Sequence, residues 1–130
     1  MMEQTLVVIK HDGVLRGLIG EIVGRFEKVG LKITAMKMLW ADEKIAENHY
    51  QVSDEWAKGV FEKTKKTYEK DGKNFPFKDF KQYGQMIKNW NKGFLREGPV
   101  VAMVIDGPHA IELVRKMVGS TEPRQALPGT

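Results

Sequence analysis

The chain has 130 residues, 42% of them hydrophobic and 29% charged, with three Trp, three Tyr, six Phe and no cysteine. That length suits one domain burying roughly two thirds of its unfolded surface, and the apolar and aromatic content argues against disorder. Disulfides, thiolate metal sites and cysteine nucleophiles are excluded, and the three histidines, His11, His49 and His109, lack the close spacing of a structural zinc site.

The net charge of +4 is unevenly placed. Residues 51–97 hold eleven Lys and Arg against seven Asp and Glu, so the whole excess lies in one central segment. Two readings fit, a polyanionic partner or a solvated helical face.

In chain order, the start carries Glu3 ahead of the apolar run Leu6-Val7-Val8-Ile9. A signal peptide needs a basic start and about 7–15 apolar residues, and a membrane helix needs about 20. The expectation is a soluble cytoplasmic protein without a membrane partner. Leu6–Ile9 reads as a short buried strand closed by Lys10, and His11-Asp12-Gly13 as a turn. Ile19, Ile22, Val23 and Phe26 follow the spacing of a core-facing helix that Gly30 would end.

Leu31–Trp40 begins as an alternating pattern and reads as a strand. A short helix follows from an Asp42 cap to about Tyr50. Ser53-Asp54-Glu55 resembles a capped helix start, with Trp56, Val60, Phe61 and Thr64 forming a weak apolar face. Asp71-Gly72 and Phe75-Pro76 interrupt the chain. Phe80, Tyr83, Ile87, Trp90 and Phe94 then mark a strongly amphipathic helix.

Val100–Ile105 is another buried strand, Asp106-Gly107-Pro108 a turn, and Ala110, Leu113, Val114 and Met117 one more helix. Ser120–Thr130 reads as a loop. The order β-α-β, helices, β-α predicts an α+β fold, a ferredoxin-like split β-α-β core whose antiparallel sheet is flanked by helices. Such a core calls for a fourth strand, which these residues do not supply.

No Gly-x-x-x-x-Gly-Lys-Ser/Thr and no Gly-x-Gly-x-x-Gly occurs. Gly17-Leu18-Ile19-Gly20 has the Gly-x-x-Gly form of KH domains, but with apolar central residues and at the opening of a helix after a strand. Isolated cations and hydroxyls stand out more. Lys10 closes a strand before a Gly turn, Arg115 lies on the last helix, and Thr121 follows Gly119-Ser120. Taken singly, spacing gives each of these an anion contact or an ordinary surface position.

The run Thr5-Leu-Val-Val-Ile-Lys-His-Asp-Gly-Val14, then Arg16-Gly-Leu-Ile-Gly-Glu-Ile22, resembles the opening of nucleoside diphosphate kinases. The resemblance continues through Gly30–Ile33, Met36–Met38 and His49-Tyr50, and resumes at Gly98–Val104, Val114–Gly119 and Pro128–Thr130. It implies a γ-phosphate transferase acting between ATP or other nucleoside triphosphates and diphosphates. The family works with Mg²⁺ held by the nucleotide phosphates, by a ping-pong route through a phosphohistidine, in a homo-oligomer. Carried over by motif, Lys10, Arg115 and Thr121 would contact phosphates, while Tyr50 would support the histidine through its hydroxyl.

The departures from the pattern carry their own expectations. The family's nucleophile sits in an Asn-x-x-His-Gly-Ser block, and His11, His49 and His109 occupy other motif positions. The 130 residues alone are therefore expected to lack the covalent route. A sheet without its last strand would leave an edge beside the first strand, so marginal stability or abnormal assembly is expected. Within a single domain spanning 1–130, the stretch 51–97 is read as an enlarged helical insertion. It is either a remodelled base pocket or interface, with Phe61 as a base-stacking candidate, or a hairpin packed on itself around Tyr83, Trp90 and Phe94. A non-catalytic nucleotide-binding or regulatory module is the alternative from another class, and a nucleic-acid binder using the basic insertion is a third.

Overall fold

The computed structural model describes residues 2–130 and divides into two compact units. One comprises Met1–Trp40 and Pro99–Thr130, the other Ala41–Gly98.

The first unit is built on a three-stranded antiparallel sheet of β1 (Met2–Ile9), β2 (Lys32–Leu39) and β3 (Val100–Pro108), in the order β1-β3-β2. β3 runs antiparallel to both neighbours, so β1 and β2 are parallel with a strand inserted between them, the split β-α-β arrangement. Between β1 and β2 lie α1 (His11–Leu15) and α2 (Ile19–Lys28), and α6 (Ala110–Val118) follows β3.

Period explains the core. Val101, Met103 and Ile105 alternate onto one face of the central strand, and all three are buried. They meet Ile9 from β1, Phe26 from α2, and Ala110 and Val114 from α6. Ile19, Ile22 and Val23 close one side of this cluster, and Leu113 and Met117 the other.

Two turns read from the sequence are regular structure instead. His11-Asp12-Gly13 opens α1, where the Val14 amide donates to the Lys10 carbonyl at 3.1 Å and the Arg16 amide to that of Asp12 at 3.0 Å. Asp106-Gly107-Pro108 continues β3, in register with Gln4, Glu3 and Met2. Asp106 is held from both sides: Gln4 Nε2 donates to Oδ2 at 3.2 Å and Thr34 Oγ1 to Oδ1 at 3.2 Å. These flanking strands override the turn tendency of Asp-Gly-Pro.

The second unit holds α3 (Glu43–His49), α4 (Asp54–Lys70) and α5 (Phe80–Arg96). Asp42 and Ser53 cap α3 and α4 as their sequence positions foretold, accepting from the amides of Ile45 at 2.8 Å and Trp56 at 3.1 Å. α4 and α5 pack through buried Ala57, Tyr83 and Gly84.

A knot of rings fills the junction beside that contact. Phe75 meets Phe61, Tyr68 and Tyr83 edge-on at centroid distances of 5.2, 5.2 and 5.4 Å, and Phe77 joins from the connecting loop. The hairpin thus packs on itself around Tyr83, but not around Trp90, which is 63% exposed. The α5 side chains that are buried include Lys88 and Leu95, so the packed face is rotated away from the purely apolar stripe.

Candidate functional site

The sheet unit contains a cleft of about 580 Å³ at the end of β1. Val7, Ile9, Ile22 and Phe26 give it an apolar floor, while Lys10, Asp12, Arg16, Glu21 and Arg25 bring charge to its walls. Lys10 is there because β1 ends at Ile9, immediately before it. The strand carries its side chain to the edge of the core, and α1 starts at the next residue. Arg25 is committed to structure: its guanidinium donates to Glu21 at 3.1 Å and to the Gly129 carbonyl at 3.0 Å. The latter bond ties the last loop to α2, and Thr130 joins the cleft wall.

Arg115 and Thr121 belong to the same unit and are exposed. Arg115 lies in the last turn of α6, and Thr121 lies in the turns that follow Gly119. Neither lines the cleft, whose wall on this side is made by Met117 and Val118. The structure thus gathers Lys10 with Asp12 and Arg16, two neighbours that the sequence placed in the family's opening motif without assigning them a role.

Tyr50 belongs to the helical unit, as the residue that caps the C-terminal end of α3. It is half-buried, and its ring stands edge-on to His49 at 4.7 Å. Together with Val52, Trp56, Lys88 and Asn91, these two rings line a polar pocket of about 260 Å³. Phe61 packs its ring edge-on against Phe75 and, at 6.0 Å, Tyr83. The lysines of α4 (Lys58, Lys63, Lys65, Lys66 and Lys70) are exposed, and Glu62 and Glu69 are interspersed among them.

The strongest electrostatic feature lies between α3 and α5. Glu47 accepts from Lys88 through one oxygen and from Lys92 through the other at 2.6 Å. Glu43 accepts from Lys92 at 2.6 Å and from Arg96. Hydrogen bonds from Lys88 and Lys92 hold the Glu47 carboxyl down at about 2, and Lys92 lowers Glu43 in the same way. Lys92 is raised in return by its bonds to Glu43 and Glu47. The signal was present in the sequence as acids one turn apart at 43 and 47 and bases one turn apart at 88, 92 and 96, but pairing across helices cannot be read from spacing.

Among the described residues no three His, Asp or Glu side chains converge as a metal site. No described helix is long and apolar enough to cross a membrane.

Comparison with known proteins shows the family. The family model for nucleoside diphosphate kinase matches residues 3–72 and 79–130. A curated nucleoside diphosphate kinase of Pyrobaculum aerophilum is 43% identical over 99% of this chain, and one of Pyrococcus furiosus is 44% identical over 99%. The chain spans 73% of the length of the first and 62% of the second.

Among solved structures, an NDP kinase from Pyrobaculum aerophilum superposes with a TM-score of 0.92 at 40% identity, covering 100% of this chain and 74% of that one. A transition-state mimic of the nucleoside-diphosphate kinase from Borrelia burgdorferi, with bound vanadate and ADP, matches at 0.74 and 38% identity, covering 99% and 62%. A nucleoside diphosphate kinase of Halobacterium salinarum in complex with CDP matches at 0.68 and 34%, covering 100% and 66%.

Proposed function

The chain belongs to the nucleoside diphosphate kinase family, and from that premise we propose that its residues bind nucleoside tri- and diphosphates and serve transfer of the γ-phosphate between them. The observation that carries this reading is Lys10 at the wall of the β1 cleft, in a chain whose fold matches structures of relatives that hold ADP with vanadate, and CDP.

Phosphoryl transfer needs little covalent work from a protein and much placement of positive charge. In this reading the Lys10 ammonium faces a phosphate at the cleft, and the Arg115 guanidinium offers paired N–H donors to phosphate oxygens. The Thr121 hydroxyl donates one further hydrogen bond, and the Tyr50 phenol supports the reacting group. Mg²⁺ would arrive on the phosphates, which supply hard oxygen ligands where the described side chains offer no cluster. Its contribution is to neutralise charge on those oxygens.

The reading takes residues 1–130 as one cytoplasmic domain with 51–97 as its helical insertion; within that stretch the family match leaves out residues 73–78 and covers the rest. A homo-oligomer is part of it. β2, one of the two outer strands, and the residue that follows it expose Met36, Met38 and Trp40, an apolar row suited to a second copy.

The histidines favour a second reading for the 130 residues by themselves. His11 opens α1, His49 ends α3 and His109 caps α6, so all three have local structural positions. The 130-residue polypeptide is accordingly proposed to bind nucleotide without turning it over.

ADP titration followed by amide NMR, with an acid-labile phosphoenzyme assay using Mg-ATP, tests both readings. Shifts at Lys10, Arg115 and Thr121 below about 1 mM ADP are expected, with no phosphoenzyme. No shift at Lys10 would remove the first reading, and a phosphoenzyme would remove the second.

A further inference from the structure

Helix α3 has very little apolar surface with which to hold itself in place. It is 7 residues long, and its one buried side chain is Ala46. Ile45, its only large apolar residue, is 43% exposed. What joins it to α5 is charge: both oxygens of Glu47 and both of Glu43 are taken up by Lys88, Lys92 and Arg96.

The geometry is a ladder. Acids one turn apart on α3 face bases one turn apart on α5, and Lys92 is shared between the two rungs. The cationic side is largely withdrawn from water, with the Lys88 side chain 10% exposed and that of Lys92 15% exposed. The acidic side stays open to water, with Glu43 60% and Glu47 49% exposed, so salt weakens the pairs, and removing one acid leaves a shielded ammonium behind.

Lys88 also lines the pocket that holds His49 and Tyr50. The side chain that clamps Glu47 is therefore a wall of the space around Tyr50, which caps the same helix three residues on.

We propose that Glu47 and Lys88 are positioning residues for Tyr50: the charge ladder locks α3 onto α5 and so fixes where the Tyr50 phenol stands. The mechanical part concerns only the helical unit. Its bearing on phosphate chemistry rests on the reading of Tyr50 given above.

The test uses the whole 130-residue chain and the variants Glu47→Gln and Lys88→Met, the latter keeping the packed stem. Amide hydrogen exchange is read at Ala46 and Tyr50 against α4 residues Ala57–Tyr68, alongside the ring resonances of Tyr50 and His49. The ladder predicts at least about tenfold faster exchange in α3, an order typical of losing a charge-assisted bond. It also predicts shifted Tyr50 ring signals, with α4 exchange unchanged.

Tyr50 signals that stay in place, or α3 and α4 exchange rising together, would overturn the proposal. Should a variant not fold, the wild-type chain in NaCl up to about 0.5 M gives the same answer. α3 exchange must then quicken more than α4 exchange, and equal change overturns the idea. ADP titration of the wild type separates the two layers: loosened α3 without ADP binding leaves the lock standing and removes only the nucleotide reading.

Discussion

A Cβ placed on Gly84 would stand 2.5 Å from the Cβ of Ala57 and 3.2 Å from its Cα, so α4 and α5 meet there with no room for a side chain on α5. Ala57 is fully buried and has no flexible atoms that could move aside. Gly84→Ala would gain helix propensity of about 1 kcal/mol, but overpacking at such a contact costs typically 1–3 kcal/mol. The expected result is a net loss of about 1 kcal/mol, at most about 2, in urea unfolding. Adding Ala57→Gly should recover part of it, and a neutral or stabilising Gly84→Ala would show that the helices can separate freely.

Tyr83 joins the ring cluster and donates its hydroxyl to Thr64 Oγ1 at 3.1 Å. Removing only the hydroxyl in Tyr83→Phe should cost about 0.5–1.5 kcal/mol. Tyr83→Ala should cost about 3–5 kcal/mol, because the cavity adds to the lost burial. Equal effects from the two variants would mean that the ring does not pack the hairpin.

The ion ladder sets a pH window. Glu47 and Glu43 titrate below their ordinary 4.5 when folded, so their stabilisation is complete above that value. It is lost as pH falls toward about 2 for Glu47. Lys92 is raised above 10.5, so its share is complete below that pH and is lost only in stronger base. Melting temperature is expected to fall steeply on acidification below 4.5 and less steeply in Glu47→Gln. Some slope should survive in the variant, since Glu112 is also lowered by Lys116. Glu43 and Glu47 are 60% and 49% exposed, so salt should shrink the effect.

His109 caps α6 with φ 54 and no side-chain cap bond, a left-handed conformation unusual for a residue with a Cβ. His109→Asn supplies a residue that tolerates this conformation and can accept from a first-turn amide, where the Ile111 amide now has only a long bond to Glu3 Oε1 at 3.4 Å. A gain of about 0.5–1 kcal/mol is expected in thermal unfolding. A loss would reveal that the imidazole has a contact worth more than the strain.

Lys10→Met keeps the length of the side chain and removes its charge. On the proposed function, ADP affinity should drop at least about tenfold by calorimetry, as expected for loss of a charge-assisted phosphate contact. Thermal melting should change much less, since Met keeps the apolar stem of this half-buried side chain. Unchanged affinity would take Lys10 out of the site.

Much of the fold was legible because its signals are local. The alternation in Val100–Ile105, the spacing of Ile19 to Phe26 and the caps at Asp42 and Ser53 are each fixed within a few residues of chain. The errors arose where a distant neighbour decides. Asp106 stays in a strand because Gln4 and Thr34 hold it, and Trp90 leaves the core because the helix face turns on Gly84 and Lys88.

Of the site, Lys10 could be placed at a strand end by its flanking residues. The partnership of Glu47 with Lys88 could not, because a lysine in an apolar stripe reads as a surface residue until its carboxylate is found 41 positions away.

Finally, the segment beyond α6 returns to its own start. A Cβ on Gly119 would fall 2.5 Å from Thr130 Oγ1, and the neighbouring Gly129 carbonyl is tied to Arg25 at 3.0 Å. The segment is therefore a compact loop with joined ends, and the entropy of bringing those ends together is spent on folding rather than on ligand capture. A hydroxyl carried on it, that of Thr121, meets an incoming phosphate from a backbone whose wandering is already curtailed.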